Sequence, residues 1–435
     1  MKITGGKLRM NIAYGRTSLE IDFPDHTDVV RPKFQKGLKD ESYAIRKALR
    51  NPINSKPLQE LVRKGQKIVI VHTDITRATP NDRILPVILS ELALAGVKPE
   101  DIKLLNGLGT HRKQTRDELR TMLGDQIVEK YTCIQHDCFD EDHLASVGEL
   151  HAGKNLRLNK TYMDADFKIL TGFIEPHFFA GFSGGPKAVL PALSGYESVF
   201  LNHGYQKIAH PNASWGITVG NPIWEEMAQA AIMSHPDFLL NVSLNAKKEI
   251  TAIFAGDMIT AHGEGCEVVK SQSMIPVDHP YDIVVTTNSG YPLDQNLYQS
   301  VKGMSAAARV VREEGAIIIV SACEDGLPDH GGYIDLLRQG GSPTGVLKMV
   351  SQPNFKSPDQ WQVQIQAQIQ KKADVYVYSD GLTDFQITEA LCIPCRNIEK
   401  LLQELVLKKG NRICVLPDGP LVIPYLTKSA NLENV

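Results

Sequence analysis

A chain of 435 residues exceeds what one ordinary hydrophobic core organises, and it implies two or three domains at ~150 residues each. A formal charge of -3, with charged residues at 22%, gives no basic footprint for nucleic acid or an anionic membrane surface. The N-terminus MKITGGKLRMNIAYG lacks an apolar leader segment and no stretch approaches the ~20 apolar residues of a bilayer span; the seven cysteines, irregularly spaced, make no disulfide framework, so a cytoplasmic protein in a reducing compartment is expected.

Up to about Pro57 the chain offers short mixed segments, among them YAIRKALRNP, whose spacing predicts a helix ending near Asn51-Pro52. Gln66 to His72 reads as a buried strand and Ile84 to Ala95 as an apolar-periodic helix, with the polar turn Thr73 to Pro80 between them. Ligands of open α/β sheets gather at the carboxyl ends of strands, which is where Asp74, Thr76 and Arg77 fall. An N-capping aspartate and a solvated arginine account equally well for these positions. Asp101 to Leu105 predicts a second strand, ending in Asn106-Gly-Leu-Gly-Thr-His-Arg112. The third glycine of a dinucleotide-binding fingerprint would fall at Arg112, so this is not one. His111 stands beside glycines at a strand's carboxyl end, a place for a ligand or an acid/base group, with a plain surface histidine as the alternative. From Thr115 to Gly153 the chain is charged, and His136, His143 and His151 read as surface histidines.

Phe167 to Leu170 predicts a third strand, followed by the densest stretch of reactive groups in the chain, TGFIEPHFFAGFSGGPKAVLPALSGYESVFLNHG from Thr171 to Gly204. A strand, a glycine-rich turn and a helix opening at Ala188 to Leu193 would make an anion site from unpaired backbone N–H groups. A P-loop fails here, because G-x-x-x-x-G-K-[ST] needs glycine where Pro186 stands and a hydroxyl where Ala188 stands. His177 follows the third strand as His111 follows the second. Two imidazoles approaching one ligand from different sides are what inversion of a stereocentre requires. Asn202 to Gly220 is loop-like, Phe238 to Phe254 alternates as a β-hairpin, and Met258 to Lys270 reads as a helix.

Ser273 to Tyr281 interrupts the periodicity and marks a domain boundary, giving domains 1–275 and 276–435. Asp282 to Thr287 predicts a strand, and DQNLYQSVKG after it enters a helix with Gln299 and Lys302 on one face at i, i+3. On spacing alone a polar helix surface is slightly favoured for that pair. Strands at Ala316 to Val320, Asp374 to Tyr378 and Arg412 to Leu416, with a helix from Asp359 to Ile369 carrying Trp361, continue the alternation. Cys392 and Cys395 form a lone C-x-x-C, for which packing near a turn is preferred over a metal. The pattern predicts an α/β protein of two domains with largely parallel sheets and an active-site cleft between them.

EPHFFAGFSGGPKAVLP with LNHG downstream resembles the lysine and histidine region of the nickel-dependent lactate racemase family, and the resemblance runs over nearly the whole chain. It implies a nickel pincer nucleotide (a pyridinium-3-thioamide-5-thiocarboxylic acid mononucleotide carrying nickel) joined covalently to Lys187, with His203 and Lys187 at the metal. D-x-x-R at Asp74 and Arg77 is similar to the family's first site motif and implies contacts to cofactor and substrate. G-x-H-R at His111, and His177, imply the acid/base pair, His177 also facing the cofactor. Q-x-x-K at Gln299 and Lys302 implies polar and cationic contacts, and the D-Q-W segment places Trp361 and Tyr298 at the substrate pocket. The implied reaction is inversion at C2 of a 2-hydroxy acid, lactate or a related one, through a 2-keto acid, with Arg77 or Lys302 holding the carboxylate. Residues 1–275 would then be the catalytic and cofactor-binding domain and 276–435 a domain completing the site. Cofactor biosynthesis proteins would be transient partners, with no nucleic acid and no membrane. A two-base racemase removing the α-hydrogen as a proton, and a non-catalytic nickel or nucleotide binding protein, stay open on the residues alone.

Overall fold

A computed structural model describes residues 6–151, 153–328 and 331–427. It divides into two compact bodies. Of the described residues, the first holds those in Phe34–Glu175 and Phe179–Ser271; the second holds those up to Lys33, then Pro176–Phe178, then those from Gln272 on. The division is therefore not a single cut in the chain.

The first body is built on strands β1 Ile68–Thr73, β2 Ile102–Gly107, β3 Thr132–Gln135, β4 Phe167–Phe173, β5 Phe238–Leu244 and β6 Ile250–Gly256. They lie in the order β6-β5-β4-β1-β2-β3, parallel except for the antiparallel β5–β6 hairpin. Strands buried on both faces read as continuous apolar runs, which is why the sequence announces β1 and β4 so clearly. Helices α1 Glu41–Arg50, α2 Asn81–Leu94, α3 Tyr196–Asn202 and α4 Met258–Ser273 accompany the sheet. Asp40 caps α1 by accepting the Tyr43 N–H at 2.9 Å. The core joins Ile68, Ile70, Ile84, Ile88, Leu104, Ile169 and Leu240. From β1 the chain steps one way to β2 and β3, then returns to the other side of β1 for β4. The crevice beyond β1 and β4 is thus the topological switch point, where ligands of such sheets bind.

The second body has an all-parallel sheet of β7 Tyr281–Thr287, β8 Val311–Val320, β9 Ala373–Tyr378, β10 Ile393–Cys395 and β11 Ile413–Leu416, in the order β10-β9-β8-β7-β11, with Asp28–Val29 added beside β11. An antiparallel hairpin, Lys7–Tyr14 with Thr17–Pro24, turns Ile12, Ile21 and Phe23 into a core with Ile283, Ile318, Leu402 and Val415. Helices α5 Leu297–Ala308 and α6 Gln360–Lys372 belong here. The fold class expected from the sequence, α/β with largely parallel sheets, is the one observed. The cysteines are all free. Burial pushes the Cys392 thiol up to about 12 and the Cys395 thiol up to about 11, as befits packed, protonated side chains.

Candidate active site

Beyond β1 the chain must leave a sheet of apolar residues, and it does so through a turn stitched by its own polar groups. Asp74 is 3% exposed. Its Oδ1 accepts the Thr76 backbone N–H at 2.9 Å and the Thr76 hydroxyl at 2.6 Å, while Oδ2 faces Nδ1 of His111. Burial alone would raise this carboxyl, but the charge and hydrogen bond of His111, the charge of Arg77 and the Thr76 hydroxyl outweigh it and hold it well below the usual carboxylate range. Asp74 is thus neither the N-cap of α2 nor a solvated group. Within the same stretch, Thr73 Oγ1, Arg77 Nη1 and Thr79 Oγ1 are buried atoms with no hydrogen bond among the described residues. Arg77 Nη1 lies 3.9 Å from Glu175 Oε1, just beyond β4, so this ion pair spans the two strand ends at the switch point.

His111 closes the turn after β2, its N–H bonded to Leu108 O at 3.0 Å and its side chain 20% exposed. An amide network fixes this loop: Asn106 Nδ2 donates to Gln114 Oε1 at 2.5 Å, and the Gln114 N–H donates to Gln135 Oε1 at 2.7 Å. Arg112 forks onto Glu118 at 2.7 and 2.9 Å. His111 therefore comes to Asp74 on a braced loop. His136, read from the sequence as a surface residue, is instead buried. Its Nε2 lies 3.1 Å from Ser194 O and its Nδ1 3.2 Å from Asn159 Nδ2, and burial lowers it to about 4. His143 is exposed, with Asp140 at 2.8 Å.

The lysine turn after β4 departs from expectation in its backbone. The N–H groups that were to cradle an anion are in use: Ser183 N–H donates to Glu175 O at 2.9 Å, Gly185 N–H to Asn241 Oδ1 at 2.8 Å, and Lys187 N–H to Gly184 O at 3.1 Å. Gly184 and Gly185 take φ of +78° and +51°. A side chain on Gly185 would run into the His262 ring, whose Nε2 sits 2.9 Å from Ser183 O. The expected helix from Ala188 is a 3-10 turn, Gly185–Ala188, and a full helix starts only at Tyr196. Pro191 explains this, since it removes an amide donor and crowds the preceding turn. Lys187 Nζ lies 5.7 Å over the Phe179 ring, and the His203 ring meets that same phenyl edge-on at 5.0 Å. His203, 4% exposed just past the end of α3, is held neutral by burial and then by the charge of Lys187.

In the second body, Asn296 caps α5 by accepting the Gln299 N–H at 3.0 Å. Gln299 and Lys302, 3% and 7% exposed, share a buried face and not the polar surface that spacing slightly favoured. Asn288 clamps that face, donating to Gln299 O at 3.1 Å and accepting the Gly303 N–H at 3.0 Å. The Trp361 indole N–H donates to the Tyr298 hydroxyl at 3.2 Å. His177 is buried, its ring 4.9 Å from that of Phe178, and it groups with this body. The first body thus joins Asp74 with His111 directly, and Lys187 with His203 through Phe179. Sequence reading passed over Glu175, Phe179 and Asn241. A charge set between Ile174 and Pro176, and an amide inside the apolar run of β5, were the available signals. Among the described residues no three His, Cys, Asp or Glu side chains form a metal-holding group, and no helix is long and apolar enough to cross a membrane.

Residues 14–216 match the lactate racemase N-terminal domain and residues 277–423 the lactate racemase C-terminal domain. The lactate racemase of Thermoanaerobacterium thermosaccharolyticum is 35% identical over 95% of this chain and 98% of its own, and that of Lactiplantibacillus plantarum 37% identical over 88% and 91%. The solved structure of the Thermoanaerobacterium lactate racemase apoprotein superposes with a TM-score of 0.88, covering 96% of this chain and 100% of that one. A Thermotoga maritima protein, 19% identical with a TM-score of 0.69 over 91% of this chain and 100% of that one, shares the fold. The chain is therefore an α/β isomerase. It belongs to the lactate racemase family.

Proposed function

We propose that this protein interconverts the stereoisomers of a short 2-hydroxy acid, lactate or a close relative, with a nickel pincer nucleotide attached to Lys187. The observation that carries the reading is the Lys187, Phe179 and His203 alignment in the same body as the Asp74–His111 pair. Its residues suit such a group. A buried imidazole kept neutral offers a lone pair to a metal ion. Lys187, beside the neutral His203, offers an amine for covalent attachment. Buried hydroxyls at Thr73 and Thr79, and Arg77 at the switch point, offer donors to an anionic nucleotide. When bound, the group supplies a carbon that accepts and returns hydride.

The remaining work is done by the chain. His111 takes the substrate hydroxyl proton on one face while His177 serves the other, and the two exchange roles in the reverse direction; each contributes ~10²–10⁴-fold as acid or base. Arg77 or Lys302 holds the substrate carboxylate, Gln299 adds a polar contact, and Tyr298 with Trp361 shapes the pocket. The protein loses and regains only protons, so turnover needs no added oxidant. Intact mass spectrometry and metal analysis test the assignment. Protein made in a host with the cofactor pathway should carry an adduct on Lys187 with one equivalent of nickel, and Lys187→Ala should carry neither. A bare chain mass in fully active protein would overturn it.

A further inference from the structure

We propose that Asp74 is the positioning residue for His111, fixing the imidazole with its proton on Nδ1 and leaving Nε2 as the nitrogen that meets substrate. The proposal rests on the reading above only in giving His111 a proton to move. Its physical basis is local. An ionised carboxylate is purely an acceptor. Oδ1 is occupied by two donors from Thr76, at 2.9 and 2.6 Å, and Oδ2 faces His111 Nδ1. A buried carboxylate in that place pairs with Nδ1 only if the proton sits there. Thr76 Oγ1, 3.5 Å from the same nitrogen, has spent its hydrogen on Asp74 and offers only a lone pair, so it favours the same tautomer. The groups converge on one state: Nδ1–H bonded to Asp74 and Nε2 left with its lone pair, on a side chain 20% exposed. When His111 accepts a proton, the buried charge of Asp74 lies against the new imidazolium and stabilises it. Both carboxylate oxygens are engaged within the protein, so Asp74 acts through His111 and is not itself a ligand of substrate.

Asp74→Asn separates orientation from charge. The Thr76 donors demand the carbonyl oxygen at the Oδ1 position, which turns the new NH₂ toward His111 and forces its Nδ1 to accept. The tautomer should flip to Nε2–H, with the basic nitrogen facing the wrong way, as in carboxylate-to-amide changes of triads. The test uses the full chain labelled with ¹⁵N-histidine, the His111 signal being assigned with His111→Gln. The wild type should show the Nδ1–H pattern and Asp74→Asn the Nε2–H pattern, the variant keeping its melting temperature within a few degrees. In cofactor-loaded protein kcat should fall on the order of 10²-fold, by no more than in His111→Ala, while KM stays within about threefold. An Nε2–H pattern in the wild type overturns the proposal even if the variant does not fold. So does a variant that retains kcat within about tenfold. The expected spectra from a protein that racemises no 2-hydroxy acid would leave Asp74 as the orienting group and remove the function proposed above.

Discussion

Both bodies bury amides, but the first adds neutral imidazoles to them. The first buries imidazoles: His72 and His262 are lowered to about 4 by burial, as His136 is, and His203 is held well below its ordinary value. The second, His177 apart, buries amides, with Gln360, Gln362, Gln364 and Gln366 inside α6. Gln366 accepts from the Tyr333 hydroxyl and donates to Ala390 O at 2.7 Å, and Gln362 donates to Tyr298 O. An amide never titrates, so it places a side chain regardless of pH. An imidazole held neutral costs the fold its proton affinity but keeps a lone pair for chemistry. The body rich in imidazoles is also the one that holds Asp74, His111, Lys187 and His203.

The sharpest break in this comparison is His111→Ala. Its interconversion rate should fall at least ~10²-fold in both directions, because in the mechanism proposed above every turnover passes one keto intermediate and needs an acid/base on each face. Chiral chromatography from either pure stereoisomer checks it. The next effect is on stability against pH. His72, His136 and His262 have folded values of about 4 against ~6.5 when unfolded. As pH falls below ~6.5 the unfolded chain takes the protons first, so stability present above that pH is lost progressively down to about 4 and levels off below it. The combined loss should reach several kcal/mol. Hydrogen exchange should show β1, β2 and β4 losing protection at pH 4.5 before β7, β8 and β9 do; simultaneous loss would erase the contrast.

Gln366→Met probes the amide side. It orphans the Tyr333 hydroxyl and Ala390 O, and should cost about 1–3 kcal/mol in denaturant melts. That cost should be the same at pH 5 and pH 7. The smallest effect belongs to His143→Ala. An exposed histidine paired with Asp140 should change stability by no more than about 0.5 kcal/mol.

The strands were legible because burial on both faces leaves uninterrupted apolar runs such as IVIVHT in β1 and YDIVVTT in β7. Candidate site residues were legible where polar groups stand in the turn that closes such a run, as Asp74, Arg77 and His111 do. What escaped depends on distant parts of the chain. The expected anion cradle loses the Gly185 N–H because Asn241, far along the chain in β5, takes it. His136 is inside because Ser194 O and Asn159 meet it there. The N-terminal hairpin read only as short mixed segments because its apolar partners lie from Ile283 onward in the chain. Pairing of Arg77 with Glu175 needed the strand order, which no local pattern encodes.

The central claim is that hydrogen leaves and returns to C2 without meeting water, while His111 and His177 move protons only on oxygen. Racemisation of lactate by the loaded enzyme in D₂O, followed by mass spectrometry of the product, tests it most directly. The account predicts product with little deuterium at C2, C2-deuterated substrate that reacts more slowly and keeps its label, and a trace of pyruvate on acid quenching. Rapid incorporation of solvent deuterium at C2 with no keto acid on quenching would contradict it and leave two-base proton abstraction in its place.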